Sequence, residues 1–222
     1  MTAPEADRVP ITDWDHNRWY HRLLLGQVPA GAQRVLDVGC GAGTLACSLA
    51  ARVRHVDAVD RSPVMVARAR GRVPANVRVH LADALADALT VELPGGAYDA
   101  VLSSAVLHHL PLPEALRRMA HWLRPGGVLA AVALPRRDLP RELPVELAAA
   151  AAHSGLGLAF AALRPLTGTP LFAPEPTHGE MPLADPVLTV RRVRAATGAV
   201  LPGARVRRLL LWRYLLTWRR PG

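Results

Sequence analysis

Val35-Leu36-Asp37-Val38-Gly39-Cys40-Gly41-Ala42-Gly43-Thr44 decides the fold. A short apolar run ending in turn residues reads as a buried strand. The three alternating glycines let the chain reverse sharply, and residues 44–52 read as the helix that follows. Outward from there the alternation repeats. Residues 56–60 form a second strand, and Ser62-Pro63 opens a second helix with serine at the N-cap and proline at the first helical position. Residues 77–81 are a third strand leading to Asp83, and 98–103 a fourth. A helix over 113–123 stops at Arg124-Pro125-Gly126-Gly127, before a fifth strand over 128–134. Strands alternating with helices imply a parallel sheet with right-handed crossovers.

The flanks read differently. Residues 1–11 form a frayed arm, and Thr12 with Asp15 fits a capping box for a helix that ends before Pro29-Ala30-Gly31. Beyond Pro135, prolines punctuate a segment with an alanine-rich helix over 145–153, then a helix over 187–199. The end, 205–220, is expected to be a β-hairpin turning near Trp212-Arg213 and burying Leu209, Leu211, Leu215 and Trp218.

At 222 residues, half apolar and 20% charged, the chain fits one soluble domain. Two cysteines exclude a disulfide framework and a four-cysteine zinc site. No secretory signal or membrane span is expected, which makes cytoplasmic the default location. All 27 basic residues are arginine, and the charge is uneven. Residues 1–185 are neutral overall, whereas 186–222 carry nine arginines and no acid.

Ligands of open α/β sheets bind beyond the carboxyl ends of the strands. The glycine loop admits a ligand close to the backbone, and the next helix offers amides to a carboxylate. Asp60 can accept from both hydroxyls of a ribose, and Asp83 from an exocyclic amine such as adenine's. Together these describe an adenosine-containing cofactor. A dinucleotide fingerprint would need glycine where Thr44 stands.

The glycine run, Asp60, Ala82-Asp83-Ala84, the segment Ser103-Ser104-Ala105-Val106-Leu107-His108-His109-Leu110 and Leu123-Arg124-Pro125-Gly126-Gly127 occur in one order. In this the chain resembles the class I S-adenosylmethionine-dependent methyltransferases over about residues 30–135, most of all the small-molecule enzymes related to ubiquinone and menaquinone biosynthesis. The resemblance implies a Rossmann-like α/β sheet of seven strands in the order 3-2-1-4-5-7-6, the last strand antiparallel, sandwiched by helices. It implies that residues 1–30 are an arm and a cofactor-covering helix, and that 31–222 are one domain with a lid or substrate segment at about 136–186. Asp37 with Gly39, Cys40, Gly41 and Gly43 would hold the methionine end of the cofactor. Asp60 with Arg61 would hold the ribose, and Asp83 with Ala82 and Ala84 the adenine. Ser103 and the turn after it would lie by the sulfonium, and Tyr20 or His21 would line the site. S-adenosylhomocysteine would be the product, no metal is expected, and the acceptor would be a small molecule.

Several residues have plainer readings. Cys40 reads as a packing residue and Cys47 as core. His108 and His109 are candidate bases, or else pack against their loop. His16 with Tyr20, and Asn17 with His21, share helix faces at i, i+4. The terminal arginines are read as the solvated face of an edge hairpin rather than a nucleic-acid grip. Two rivals stand beside the enzyme reading: an RNA methyltransferase using that arginine-rich end, and a non-catalytic cofactor-binding partner protein.

Overall fold

A computed structural model of the chain describes residues 14–87, 89, 93–167, 172 and 185–222. At its centre β1 (Arg34–Val38) lies between β2 (His55–Asp60) and β4 (Tyr98–Ser104). With β3 (Val77–Leu81), β5 (Leu123–Ala133), β6 (Arg205–Leu209) and β7 (Arg213–Arg219), the seven-stranded order is β3-β2-β1-β4-β5-β7-β6. The first five strands are parallel, and β7 runs antiparallel to both β5 and β6. This is the Rossmann-like sheet expected. Chain order reverses between β1 and β4, which puts the ligand crevice there.

The strands are apolar throughout because both sheet faces are covered, and alternate residues feed two cores. Val35, Ala100, Leu102, Ala130 and Val132 pack with α1 (His16–Leu25), α2 (Thr44–Ala50) and α3 (Pro63–Arg70). Leu36, Val101, Leu129 and Ala131 pack on the other face with α4 (Leu112–Trp122) and α6 (Val190–Val200). Each fully buried leucine is worth about 1.5–3 kcal/mol, enough to override weak local propensities. Buried among the strands, Asp57 binds Arg34 Nη2 at 2.8 Å, the Tyr98 hydroxyl at 2.9 Å and His80 at 2.9 Å, tying together β1 to β4. Burial alone would raise its pKa, but these three partners bring it down to about 2.

Four elements depart from expectation. Thr12 lies outside the described residues, and Asp15 caps α1 instead, accepting from the amides of Asn17 and Arg18. The Arg124-Pro125-Gly126-Gly127 stop does not precede β5 but forms a bulge in it, between the pairs Tyr98/Leu123 and Ala100/Val128. The alanine-rich helix grows to 29 residues as α5 (Leu139–Thr167), running through Pro144 and Pro165. Proline removes one i→i−4 bond, and tertiary contacts compensate here. Glu146 of α5 accepts from Arg208 at 2.8 Å and from the Trp212 indole at 2.9 Å, and Ala149 is fully buried. Its stretch Arg141–Leu163 is long and apolar enough, by length and composition, to cross a membrane.

The hairpin turns one residue earlier than expected, with Leu211 and Trp212 both at φ +57°. Bulky residues rarely adopt that conformation. Here the burial of Leu211 and the Trp212–Glu146 hydrogen bond offset the strain. Leu209 and Leu215 are buried as expected, while Trp218 is half-buried, its indole donating to the Pro202 carbonyl.

Candidate active site

The glycine loop is held from behind. The amides of Gly39 and Cys40 both donate to the Val59 carbonyl at the end of β2, at 2.8 and 3.0 Å. Gly39, Gly41 and Gly43 all take left-handed backbone conformations. Their roles differ. At Gly39, φ is +74° and a Cβ would lie 2.1 Å from Val106 Cγ2. At Gly43, the residue before α2, a Cβ would meet Val73 at 2.9 Å, so this glycine serves packing against α3 rather than the cleft. Gly39→Ala is expected to cost roughly 2–4 kcal/mol, combining a strained conformation with overpacking. Urea denaturation measures the loss, and adding Val106→Ala should restore part of it.

The loop and the ends of β2, β3 and β4 enclose a cleft of about 190 Å³ beneath α1. A second cavity, of about 20 Å³, has room for about one water. The cleft brings together Asp37, Gly39, Cys40, Gly41, Asp60, Arg61, Asp83, Ala84, His21 and His109 from the expected set. Gly43, Ser103, Tyr20 and His108 do not line it.

Each exception has a physical cause. The Ser103 hydroxyl is fully buried and donates to the Val38 carbonyl at 2.9 Å, bridging β4 to β1. The next residue, Ser104, lines the cleft instead, with a buried hydroxyl that has no partner among the described residues. Tyr20 turns away, its hydroxyl donating to the Leu210 carbonyl in the hairpin, and burial raises its pKa. His108 faces the small cavity; burial, then the charges of His109 and Arg213, lower its pKa to about 3. It is therefore neutral near pH 7 and turned from the cleft. His109 does face the cleft, and burial followed by the Arg61 charge holds it below the ordinary histidine value.

The acids carry the electrostatics. Asp60 Oδ2 accepts from the Gly41 amide at 2.8 Å and Oδ1 from the Ser62 amide at 2.9 Å. This one carboxylate thus links the glycine loop to the start of α3, where Ser62 caps the helix as expected. Asp83 is exposed, and its Oδ1 accepts from the Leu85 amide at 2.8 Å. Asp37 is fully enclosed, and among the described residues neither carboxylate oxygen has a well-formed hydrogen bond. Burial first, then the charge of Asp60, push its pKa up to about 7, with the Ala46 amide pulling weakly the other way. Cys40 is buried and its thiol is pushed upward by burial and both acids, so it packs and is no nucleophile. Cys47 is half-buried rather than core, because α2 turns Leu45, Ala46 and Leu49 inward instead.

The sequence reading missed Met65 and Leu45, which reach the cleft from helices; Ala105 and Val106 line it from the turn expected after Ser103, in which Ala105 has φ +58°. No alanine announces a left-handed turn. The arginine-rich end is largely occupied with structure. Arg208 pairs with Glu142 and Glu146, and Arg194, Arg219 and Arg220 donate to backbone carbonyls.

A parallel sheet with an antiparallel β7 beside β5, a glycine loop after β1 and acids after β2 and β3 define a class I S-adenosylmethionine-dependent methyltransferase. Residues 35–127 match the family described as methyltransferase domain. Over 209 residues the chain is 37% identical to an uncharacterized methyltransferase of Mycobacterium tuberculosis, covering 94% of this chain and 98% of that one. The chain belongs to this methyltransferase family. It is also 34% identical over 159 residues to a ubiquinone biosynthesis O-methyltransferase of Xylella fastidiosa, covering 60% of this chain and 64% of the relative. In fold it is similar to a SAM-dependent methyltransferase from Aquifex aeolicus, with a TM-score of 0.58 and 18% identity over 96% of this chain and 93% of that one.

Proposed function

We propose that the enzyme transfers the methyl group of S-adenosylmethionine to a small organic acceptor by in-line displacement, leaving S-adenosylhomocysteine. The observation that carries the reading is Asp37, a buried carboxylate at the cleft wall with no well-formed hydrogen bond to either oxygen among the described residues. An orphaned buried acid is costly unless a cation or donor meets it. The cofactor fits, since it brings an ammonium group and ribose hydroxyls, both donors, to a cleft walled by acids. Asp37 and the loop at Gly39, Cys40 and Gly41 would hold the amino-acid end. Asp60, already oriented by two amides, keeps lone pairs for the ribose hydroxyls, with Arg61 alongside. Asp83, between Ala82 and Ala84, would accept from the adenine amine.

When bound, the cofactor supplies an electrophilic methyl group. The protein's own task is to align the acceptor and exclude water, which in favourable cases is worth roughly 7–11 kcal/mol. α1 closes the cleft on one side, and Ser104, Ala105 and Val106 close it on another. We assign His109 rather than His108 as the candidate base. It faces the cleft, and its lowered pKa keeps it neutral and able to accept a proton near pH 7. The segment 136–186, of which residues 168–171 and 173–184 lie outside the described residues, would complete the acceptor side. Titration calorimetry tests the reading. S-adenosylhomocysteine should bind in the range of about 1 μM to 1 mM typical of enzyme ligands, and NADH should not. No heat with S-adenosylhomocysteine or S-adenosylmethionine would overturn it.

A further inference from the structure

Asn17 projects from α1 into the cleft beside His21, and a buried cation stands behind it. The Arg213 guanidinium, at the first residue of β7, donates to Asn17 Oδ1 from Nη2 at 3.0 Å and from Nε at 3.2 Å. Its Nη1 donates to the carbonyls of Leu211 and Trp212. A guanidinium has donors only, so Asn17 must turn its oxygen toward Arg213. The amide NH2 of Asn17 is then the group left to face the cleft, a donor whose orientation is fixed.

Arg213 is only 8% exposed, and every hydrogen-bond partner it has among the described residues is neutral. Burial lowers its pKa to about 10, so it remains a cation near neutral pH. The nearby acid, Asp15, also at the cleft, forms no salt bridge with it; Asp15 Oδ1 accepts the amides at the start of α1, and its charge reaches Arg213 through space. A buried charge with no salt-bridge partner among the described residues is costly, and its field, offset in part by the charge of Asp15, falls on whatever Asn17 touches.

Strand order says which end of the cleft this is. Asp60 and Asp83 follow β2 and β3, whereas Arg213 heads β7, beyond β4 and β5 from β1. Three strand spacings of about 4.8 Å put it roughly 14 Å from the glycine-loop strand, on the side away from the nucleoside acids.

We propose that Asn17, held by Arg213, receives an anionic oxygen of the acceptor, a carboxylate or a phenolate, and so makes the enzyme selective for acidic acceptors. The proposal rests on the methyltransferase reading above. The cofactor's own carboxylate carries the same chemistry, and the experiment separates the two sources.

Protein saturated with S-adenosylhomocysteine is titrated with benzoate, salicylate and 4-nitrophenolate, each beside its neutral counterpart benzamide, salicylamide or 4-nitroanisole. At least one anion should bind, with its neutral counterpart at least tenfold weaker. Asn17→Asp should weaken that anion at least tenfold, while S-adenosylhomocysteine affinity changes less than twofold. The new carboxylate keeps Arg213 partnered, so the variant should fold with an undiminished Tm, a result that separates recognition from structural support. The proposal fails if no anion binds, or if the neutral counterparts bind equally well. It also fails if Asn17→Asp loses S-adenosylhomocysteine instead, which would assign the site to the cofactor's carboxylate. A wild-type protein that binds no S-adenosylhomocysteine at all would sink the cofactor reading and this one with it.

Discussion

Asp60→Ala is expected to weaken S-adenosylhomocysteine binding at least about 100-fold, read by titration calorimetry. The estimate follows from what one carboxylate holds. Both its oxygens accept backbone amides, from Gly41 and Ser62, and hydrogen bonds to a charged group are worth about 1.5–3 kcal/mol each. The alanine variant strands both donors and frees the glycine loop from the start of α3, besides removing the proposed ribose acceptor. Asp60→Asn should fall between, because an amide offers one acceptor oxygen where two amides need one each. Asp83→Ala should cost less than either, since that acid is exposed and anchors only the Leu85 amide. Asp60→Ala should also let Asp37 ionise at lower pH, because the charge of Asp60 is the second cause of its raised pKa. A variant that binds S-adenosylhomocysteine within threefold of wild type would remove Asp60 from the site.

What the sequence discloses about this site follows from how local each cause is. The glycine loop is legible because a left-handed backbone at Gly39 admits few other residues and leaves a mark at one position. Ser62-Pro63 is legible for the same reason, since a cap is a contact over three residues. On α1 the pairs His16/Tyr20 and Asn17/His21 are readable as two faces. Which face meets the cleft depends on Leu24, buried one turn beyond Tyr20, and on Arg213, 196 positions away from Asn17. Ser103 and Ser104 differ by one step of strand alternation, so the phase of β4 against β1 decides between them. The length of α5 is set by Glu146 meeting Arg208 and Trp212, a contact that no window along the helix contains. The Leu211-Trp212 turn is the opposite of a turn signal, and only the burial of Leu211 and the hydrogen bond from Trp212 to Glu146 explain it.

Asp37→Asn is expected to separate stability from binding. An acid whose pKa rises on folding, from 3.8 to about 7, binds more protons in the native state than in the unfolded chain across that interval. Its contribution is therefore fully present below about pH 4 and lost as pH rises through about 7. Three pKa units correspond to roughly 4 kcal/mol, an upper bound on the loss. The asparagine variant, neutral at every pH, should match wild type near pH 4 and exceed it at pH 8, by up to that amount, in urea unfolding. Binding should move the other way. If the ionised carboxylate receives the ligand's ammonium, wild-type affinity for S-adenosylhomocysteine climbs as pH passes about 7. The variant should lack that climb and bind at least about tenfold more weakly at pH 8, as expected for a lost charge-assisted hydrogen bond of 1.5–3 kcal/mol. 5′-Methylthioadenosine, which has no amino-acid end, should bind both proteins alike. A variant that is more stable at pH 8 yet binds S-adenosylhomocysteine like wild type would leave Asp37 a buried strain with no ligand to relieve it, and the amino-acid end of the cofactor would have to lie elsewhere in the cleft.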